Sequence, residues 1–330
     1  MHNAIQFIGT QRSGSNLLRL ILNQHDLISA PHPPHLLKTF VPLLPHYEAM
    51  YGNPLPRLIE DMCLWVEYNP VPWTDVVLDR EIIAQNAASI YDVFEQAYIQ
   101  KAHVDKAGIW CCKSTFNVHY VDQLEKKIRP FYIHLYRDGR DVAASFKKIL
   151  VGQKHAYHLA KQWHQEQVIA MNFLKGIEPG RKIQISYESL LDRPAEVVGA
   201  ICDKLKIDYD DKMLNYYTSE ESQHTADSGK MWESVIKPII KNNKEKFFGE
   251  LTEEDIRIFE KVAGSTLRQL GYRLVYQDND DFDLDIDRYN VLNAEMIAEG
   301  RKNSSDKELQ KRARQERLLE GIKQKFEVEG

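Results

Sequence analysis

Two short stretches carry most of the chemistry this sequence offers. The first, Gly9-Thr-Gln-Arg-Ser-Gly-Ser-Asn16, lies between an apolar run, AIQFIG, and a helical pattern with Leu17, Leu18, Ile21 and Leu22 on one face. A turn from strand to helix aims backbone N–H groups and the positive end of the helix dipole at one point, where an anion is favoured. The Gly9-to-Gly14 spacing is that of a nucleotide P-loop, but Ser15 and Asn16 stand where a P-loop carries its lysine and its magnesium-binding Ser or Thr. Such a loop suits a phosphate-sized anion that needs no metal, with Arg12 supplying charge, better than a metal-bound triphosphate. Taken alone, it also reads as an ordinary strand-to-helix turn.

In the second stretch, FYIHLY runs into Arg137-Asp-Gly-Arg-Asp-Val-Ala-Ala-Ser145. A P-loop NTPase ends such a strand with a metal-binding Asp, and this one ends with Arg137. Ser145 lies eight residues after Arg137 in a helix starting near Asp141, where its hydroxyl can share an anion with Arg137.

The rest of the chain must position these residues. It has 330 residues, 43 Lys+Arg against 48 Asp+Glu, and 43% hydrophobic residues, a globular composition. A formal charge of −5 argues against a nucleic-acid partner bound through a basic face, so an anionic ligand needs a local cluster. The opening MHNAIQFIGT lacks the pattern of a secretory signal, and no apolar stretch reaches the ~20 residues of a membrane span, so a soluble, cytoplasmic protein is expected. Cys63, Cys111, Cys112 and Cys202 read as buried thiols rather than as disulfides or a zinc site.

Strands are predicted at residues 4–9, 108–113, 131–136 and 182–187, with helical patterns at 142–150, 160–173 and 195–205. This alternation predicts an α/β fold with a central parallel sheet and helices on both faces. Nine of the thirteen prolines fall between Pro31 and Pro72, in a region that also carries Tyr47, Tyr51, Trp65, Tyr68 and Trp73. Proline at that density predicts irregular backbone, and the stretch from about 31 to 107 reads as an insert that shapes a substrate pocket. Thr252, with Asp255 three residues later, caps a helix through Leu270 that closes a main domain of residues 1–276. The remainder, 277–330, begins as a solvated acidic linker, six of the ten residues from Asp278 to Asp287 being Asp. It ends in a charged helix, 306–326, whose stripe of Leu318, Leu319, Ile322 and Phe326 suits docking on the body or on a second copy in a homodimer.

GTQRSGSNLL together with LYRDGRDVAASF resembles the two nucleotide-binding segments of sulfotransferases, whose fold is P-loop NTPase-like and whose donor is 3′-phosphoadenosine 5′-phosphosulfate (PAPS). GIWCCKSTFN, ISYESLLDRP and FEKVAGSTLRQLGY are similar to further family segments, and WESVIKPI to a stretch of tyrosylprotein sulfotransferases. The resemblance runs from about residue 4 to 275. It implies transfer of a sulfuryl group to a hydroxyl-bearing acceptor, be it a small molecule, carbohydrate, lipid or peptide, with PAP as product and no metal. It implies that Gln11, Arg12, Ser13, Gly14, Ser15 and Asn16 cradle the phosphosulfate, that Arg137 and Ser145 take the 3′-phosphate, and that Tyr187 belongs to the nucleotide site. Lys113 and Arg12 match the pair that stabilises the transferring group.

The family places a Glu or His as base just after its second strand. Here no acid occurs between Asp26 and Glu48, and the window Pro31-His-Pro-Pro-His35 offers only histidines. His32 is nearer the family glutamate by counting. His35 follows a proline suited to a first helical position, where the helix dipole keeps an imidazole neutral, and is the preferred base. Glu48 or Glu60 in the insert would be the fallback. The rival readings are a P-loop kinase-like phosphotransferase and a nucleotide-binding module without catalysis.

Overall fold

Apolar runs buried on both faces make strands that can only sit inside a sheet covered on both sides. Five form one parallel sheet: β1 (Ala4–Ile8), β2 (Ile28–Ser29), β3 (Ile109–Cys112), β4 (Phe131–Tyr136) and β5 (Lys182–Ser186), in the order β2-β3-β1-β4-β5. The computed structural model describes residues 3–149, 152–276, 282–302 and 306–329. All five residues of the central β1 are buried. Gln6 lies opposite Cys112, Ile8 opposite His134, and Tyr136 opposite Ser186. Because every strand runs the same way, the turns after β1, β3, β4 and β5 leave from one edge, where open α/β sheets bind their ligands.

The polar residue in β1 is satisfied internally. Gln6 donates its amide to the carbonyls of Cys112 and Ser114, at 3.1 and 3.2 Å, and accepts from Asn117 at 3.0 Å. This ties the turn after β3 to the middle of the sheet.

Helix α1 (Ser15–Leu22) follows β1. The proline-rich region departs from expectation, because it is mostly helical: α2 (Leu36–Phe40), α3 (Leu44–Tyr51), α4 (Leu55–Glu67), α5 (Arg80–Asn86) and α6 (Ile90–Val104). Pro45 and Pro56 lie in the first turns of α3 and α4, where a backbone N–H has no intrahelical partner and its loss costs nothing. These helices enclose an apolar core containing Tyr47, Trp65, Trp73, Phe94, Tyr98 and Trp110.

The chain continues through α7 (Val121–Lys127), α8 (Gly139–Lys147), α9 (Ala156–Lys175), α10 (Tyr187–Asp192), α11 (Pro194–Leu205), α12 (Glu220–Asp227) and α13 (Phe247–Glu250). Leu150, the expected end of the helix after β4, lies outside the described residues. The capped helix is α14 (Glu253–Gln269), where Thr252 and Asp255 form a full capping box.

Two helices follow, α15 (Ile286–Lys302) and α16 (Asp306–Glu329). The expectation of a solvated linker is corrected where the chain is described: Phe282 and Leu284 pack on Ala156, Ile258 and Tyr289. In DFDLDID Phe282 and Leu284 are half-buried against these neighbours, whereas Ile286 is exposed; Asp278, Asp280 and Asp281 lie outside the described residues. The stripe on α16 docks on the chain's own body. Ile322 joins the core of Tyr47 and Trp65, and Phe326 sets its ring edge-on to Tyr47 at 4.9 Å. Among the described residues no helix is long and apolar enough to cross a membrane, and all four cysteines are buried free thiols.

Candidate active site

The turn after β1 bends sharply, with Gly9, Arg12 and Gly14 all at positive φ. Gly14 caps α1 at φ 86°, and a β-carbon there would lie 2.3 Å from the ring of Tyr187, so the loop and α10 fit only with glycine. The loop is anchored from below by a buried chain of side chains. Gln184 donates to His134 Nδ1 (3.0 Å), His134 Nε2 donates to Gln167 (2.7 Å), and Gln167 donates to Thr10 (3.1 Å). Burial holds His134 near pKa 4, so this imidazole is neutral and its two nitrogens can play opposite roles.

The predicted donor residues come together at this edge. Arg12 Nε donates to Ser145 Oγ at 3.0 Å, and Arg137 reaches the Arg12 carbonyl at 3.4 Å. Ser145 therefore meets Arg12 directly and Arg137 through it. Arg137 is fixed by Asp141 (3.0 Å) and the Asn243 carbonyl (3.1 Å), and its guanidinium lies 4.6 Å over the Tyr187 ring. Asn243 also donates to the Tyr187 hydroxyl at 2.6 Å. Arg137 Nε and Ser13 Oγ are buried without a hydrogen-bond partner, as expected of groups built to meet a ligand oxygen. Ser15 opens α1, Asn16 accepts from Arg19, and Gln11 is half-buried beside them.

Lys113 follows the last residue of β3. It is buried, and among the described residues its ammonium has no hydrogen bond and no ion pair. Burial, with Arg19 and Arg12 close by, pulls its pKa down to about 7. Burial and Arg137 likewise lower that of Arg12. Arg19, by contrast, is fully partnered: it donates to the Ala30 carbonyl, Glu221 and Thr225 at 2.8, 2.6 and 2.8 Å. Two of the four cations, Arg19 and Arg137, have carboxylate partners, and the other two, Arg12 and Lys113, have none, the charge of Arg12 acting on Lys113. An anion of charge near −2 complements that set, so the residues fit a phosphosulfate.

Both histidines of the window lie beside Lys113. His35 does not sit at a first helical position. It is the residue before α2, in a left-handed conformation with φ 56°, and Pro34 stands outside the helix. Its Nδ1 meets Ser114 Oγ at 2.7 Å, and its ring packs edge-to-face on Phe116 at 5.2 Å. His35 is neutral because burial, followed by the charges of Lys113, Lys38 and Arg312, pushes its pKa well below 6.5, and not because of the helix dipole. His32 is shifted down by burial and Lys113 in the same way. Both of its ring nitrogens are buried without a partner, and Trp232 of WESVIKPI packs edge-on to it at 5.1 Å. Glu60 is turned away, paired with Arg80 at 2.7 Å.

Sequence reasoning missed Ser114, Asn243, Lys38 and Arg19. Only Arg19 left a local signal, as a lone arginine inside the apolar run SNLLRLIL.

This arrangement, a parallel α/β sheet with a cluster of cations at its strand ends, suits an anionic ligand. A profile described as "Sulfotransferase family" matches residues 5–211, and the chain belongs to that family. Its fold is shared with the sulfotransferase domain of the Synechococcus PCC 7002 olefin synthase (TM-score 0.54, 23% identity, 79% of this chain and 95% of that one). A sulfotransferase domain from the curacin biosynthetic pathway is similar to the same degree (TM-score 0.53, 23% identity, 83% and 99%). An uncharacterized protein of Aquifex aeolicus (strain VF5) is 24% identical over 251 residues; the match spans 73% of this chain and only 30% of that relative's length.

Proposed function

We propose that this chain transfers a sulfuryl group from PAPS to the hydroxyl of an acceptor, in the cytoplasm and without a metal, with residues 1–276 as the transferase unit. The observation that carries the reading is Lys113, a buried and unpaired ammonium close to Arg12, which has no carboxylate partner, at the turn edge of the sheet. Charge develops on the bridging oxygen of the donor as the sulfur–oxygen bond breaks, and cations fixed at that point stabilise the transition state more than the ground state.

Other residues divide the donor among them. Gln11 to Asn16 cradle the 5′ end, and Arg137 with Ser145 holds the 3′-phosphate while Tyr187, pinned by Asn243, supports Arg137 from below. As the new sulfur–oxygen bond forms, the acceptor hydroxyl loses its proton to His35 Nε2. In this reading Nδ1–H donates to Ser114, which leaves Nε2 as the free acceptor. An anionic donor next to Lys113 raises the pKa of His35 toward the useful range.

A donor-dependent acceptor screen tests the reading, scored by the mass gain of one sulfuryl group. Transfer to at least one hydroxyl acceptor supports it. Tight PAP binding with no transfer across a broad library would favour the nucleotide-binding module instead.

A further inference from the structure

The cations assigned to the donor do not exhaust those near His35. On α2, one turn after His35, the Lys38 ammonium lies 3.6 Å over the ring of Phe116, the same ring that packs against His35. A second cation arrives from the far end of the chain. Arg312, Gln315, Leu319, Ile322 and Phe326 recur on α16 at alternating spacings of three and four, which puts them on one face. The lower part of that face is docked: Ile322 and Phe326 are in the core of Tyr47, and Gln315 donates to the Trp65 carbonyl at 2.9 Å. Trp65 in turn donates to the carbonyl of Pro34, the residue before His35, at 2.6 Å. Arg314 is held at 3.7 Å over the ring of Tyr68. Arg312, one turn above Gln315, is thereby carried to the His32–Lys38 segment, and its charge acts on His32, His35 and Lys38 alike.

Among the described residues neither Lys38 nor Arg312 has a hydrogen bond or an ion pair within contact distance. The carboxylate that acts on Lys38 is Glu166, which is not within ion-pair distance and accepts from Gln162 at 2.9 Å. Two cations without a contacting carboxylate, held on the acceptor side of the base by elements that otherwise pack well, resemble the arrangement of Arg12 and Lys113 on the donor side.

We propose that α16 completes the acceptor site, and that Lys38 and Arg312 select a hydroxyl acceptor that carries an anionic group, a carboxylate or a phosphate, close to the hydroxyl. The inference rests on the sulfuryl-transfer reading, since it takes His35 as the point where the acceptor hydroxyl lies. It assigns residues 306–329, which sequence reasoning separated from the transferase unit, to the active site.

Matched acceptors provide the test. Aliphatic and phenolic series offer the same hydroxyl beside a carboxylate, a phosphate monoester or a neutral amide, with transfer from PAPS read by mass. The anionic members should exceed the amide in kcat/KM by about tenfold or more, the size expected of a charge-assisted contact, and the better of the two names the anion. The Lys38→Met/Arg312→Gln double variant should bring that ratio to within about twofold while PAP affinity holds, and Arg312→Lys should keep most of it. Both side chains reach solvent and neither is hydrogen-bonded or ion-paired, so the variants should fold; circular dichroism checks this. An amide used as well as the anions, or a preference that survives in the double variant, overturns the proposal. If no member is turned over, calorimetric titration of the PAP-bound protein with benzoate and phenyl phosphate decides: binding lost in the double variant supports it, and no binding to the wild type overturns it. Failure of PAP itself to bind would bring down the sulfuryl-transfer reading, and this inference with it.

Discussion

The proposed donor side takes its ions from turns that leave adjacent parallel strands, whereas the proposed acceptor side takes its ions from helices and a helix cap contributed by distant parts of the chain. Arg12, Lys113, Arg137 and Tyr187 each follow a strand by a few residues, and the sheet register fixes them relative to one another. His35, Lys38, Trp65 and Arg312 come from α2, α4 and α16, and the contact that joins α4 to α16 bridges 250 residues. The donor side is anchored by buried polar chains, such as His134–Gln167–Thr10, and the acceptor side by an aromatic core. Buried hydrogen-bond networks specify one geometry, while apolar packing accepts more change in shape at similar cost.

The largest effects should fall on turnover. Removing a general base typically costs about 10²- to 10⁴-fold, so His35→Ala should lower kcat within that range and His32→Ala much less. The reverse order would move the base to His32, and near-normal rates in both and in the double mutant would place it elsewhere. Such an outcome would break the division of labour at the acceptor side and leave the donor side untouched.

Lys113→Ala should lower kcat by about 10²- to 10³-fold, with PAP affinity changed only a few-fold, as expected of a contact made mainly in the transition state. The pH dependence sharpens the assignment. With its pKa pulled down to about 7, Lys113 in the free enzyme loses its proton as pH rises through that value, and the charge facing the donor goes with it. kcat/KM for PAPS should therefore fall above about pH 7, and Lys113→Arg, which keeps its charge, should flatten the decline. An unchanged profile in Lys113→Arg would assign that limb to another group.

Arg137→Ala should weaken PAP by about ten- to hundredfold relative to its effect on adenosine 5′-phosphate, the difference being the bond to the 3′-phosphate. Equal losses for both nucleotides would remove Arg137 from that role. The variant also leaves Asp141 buried with only the Phe247 N–H of its two partners, so lower thermal stability should accompany it.

The smallest effect probes a support remote from both sides. Thr252→Ala removes one half of the capping box on α14 and should cost about 1 kcal/mol of stability with little change in either affinity. A large loss of PAP binding in this variant would mean that α14 sets the donor geometry.

The same contrast explains what the amino-acid sequence revealed. The four longer strands, helices α1, α8, α9 and α11 and the capped α14 follow from local periodicity and cap chemistry; Arg12, Arg137 and Ser145 stand out by their place after a strand, and Lys113 and Tyr187 only through the family resemblance. Ser114 and Asn243 left no mark, because their roles come from His35 and Tyr187, which lie 79 and 56 residues away. The helices of the proline-rich region were hidden because proline composition is silent on position within a helix, and Pro45 and Pro56 fall where proline is harmless. The helical neutrality argument for His35 failed on one backbone angle, the positive φ that ends the turn before α2. Arg312 could not be placed at all, since its neighbours are set by how α16 packs.

The most direct test of the account is calorimetric titration of the purified protein with PAP and with adenosine 5′-phosphate, both in EDTA. One PAP should bind per chain, more tightly than adenosine 5′-phosphate by about ten- to hundredfold, the worth of the 3′-phosphate contact. Equal affinity for the two nucleotides, or binding only of ATP with magnesium, would contradict a metal-free site built from Arg12, Lys113 and Arg137.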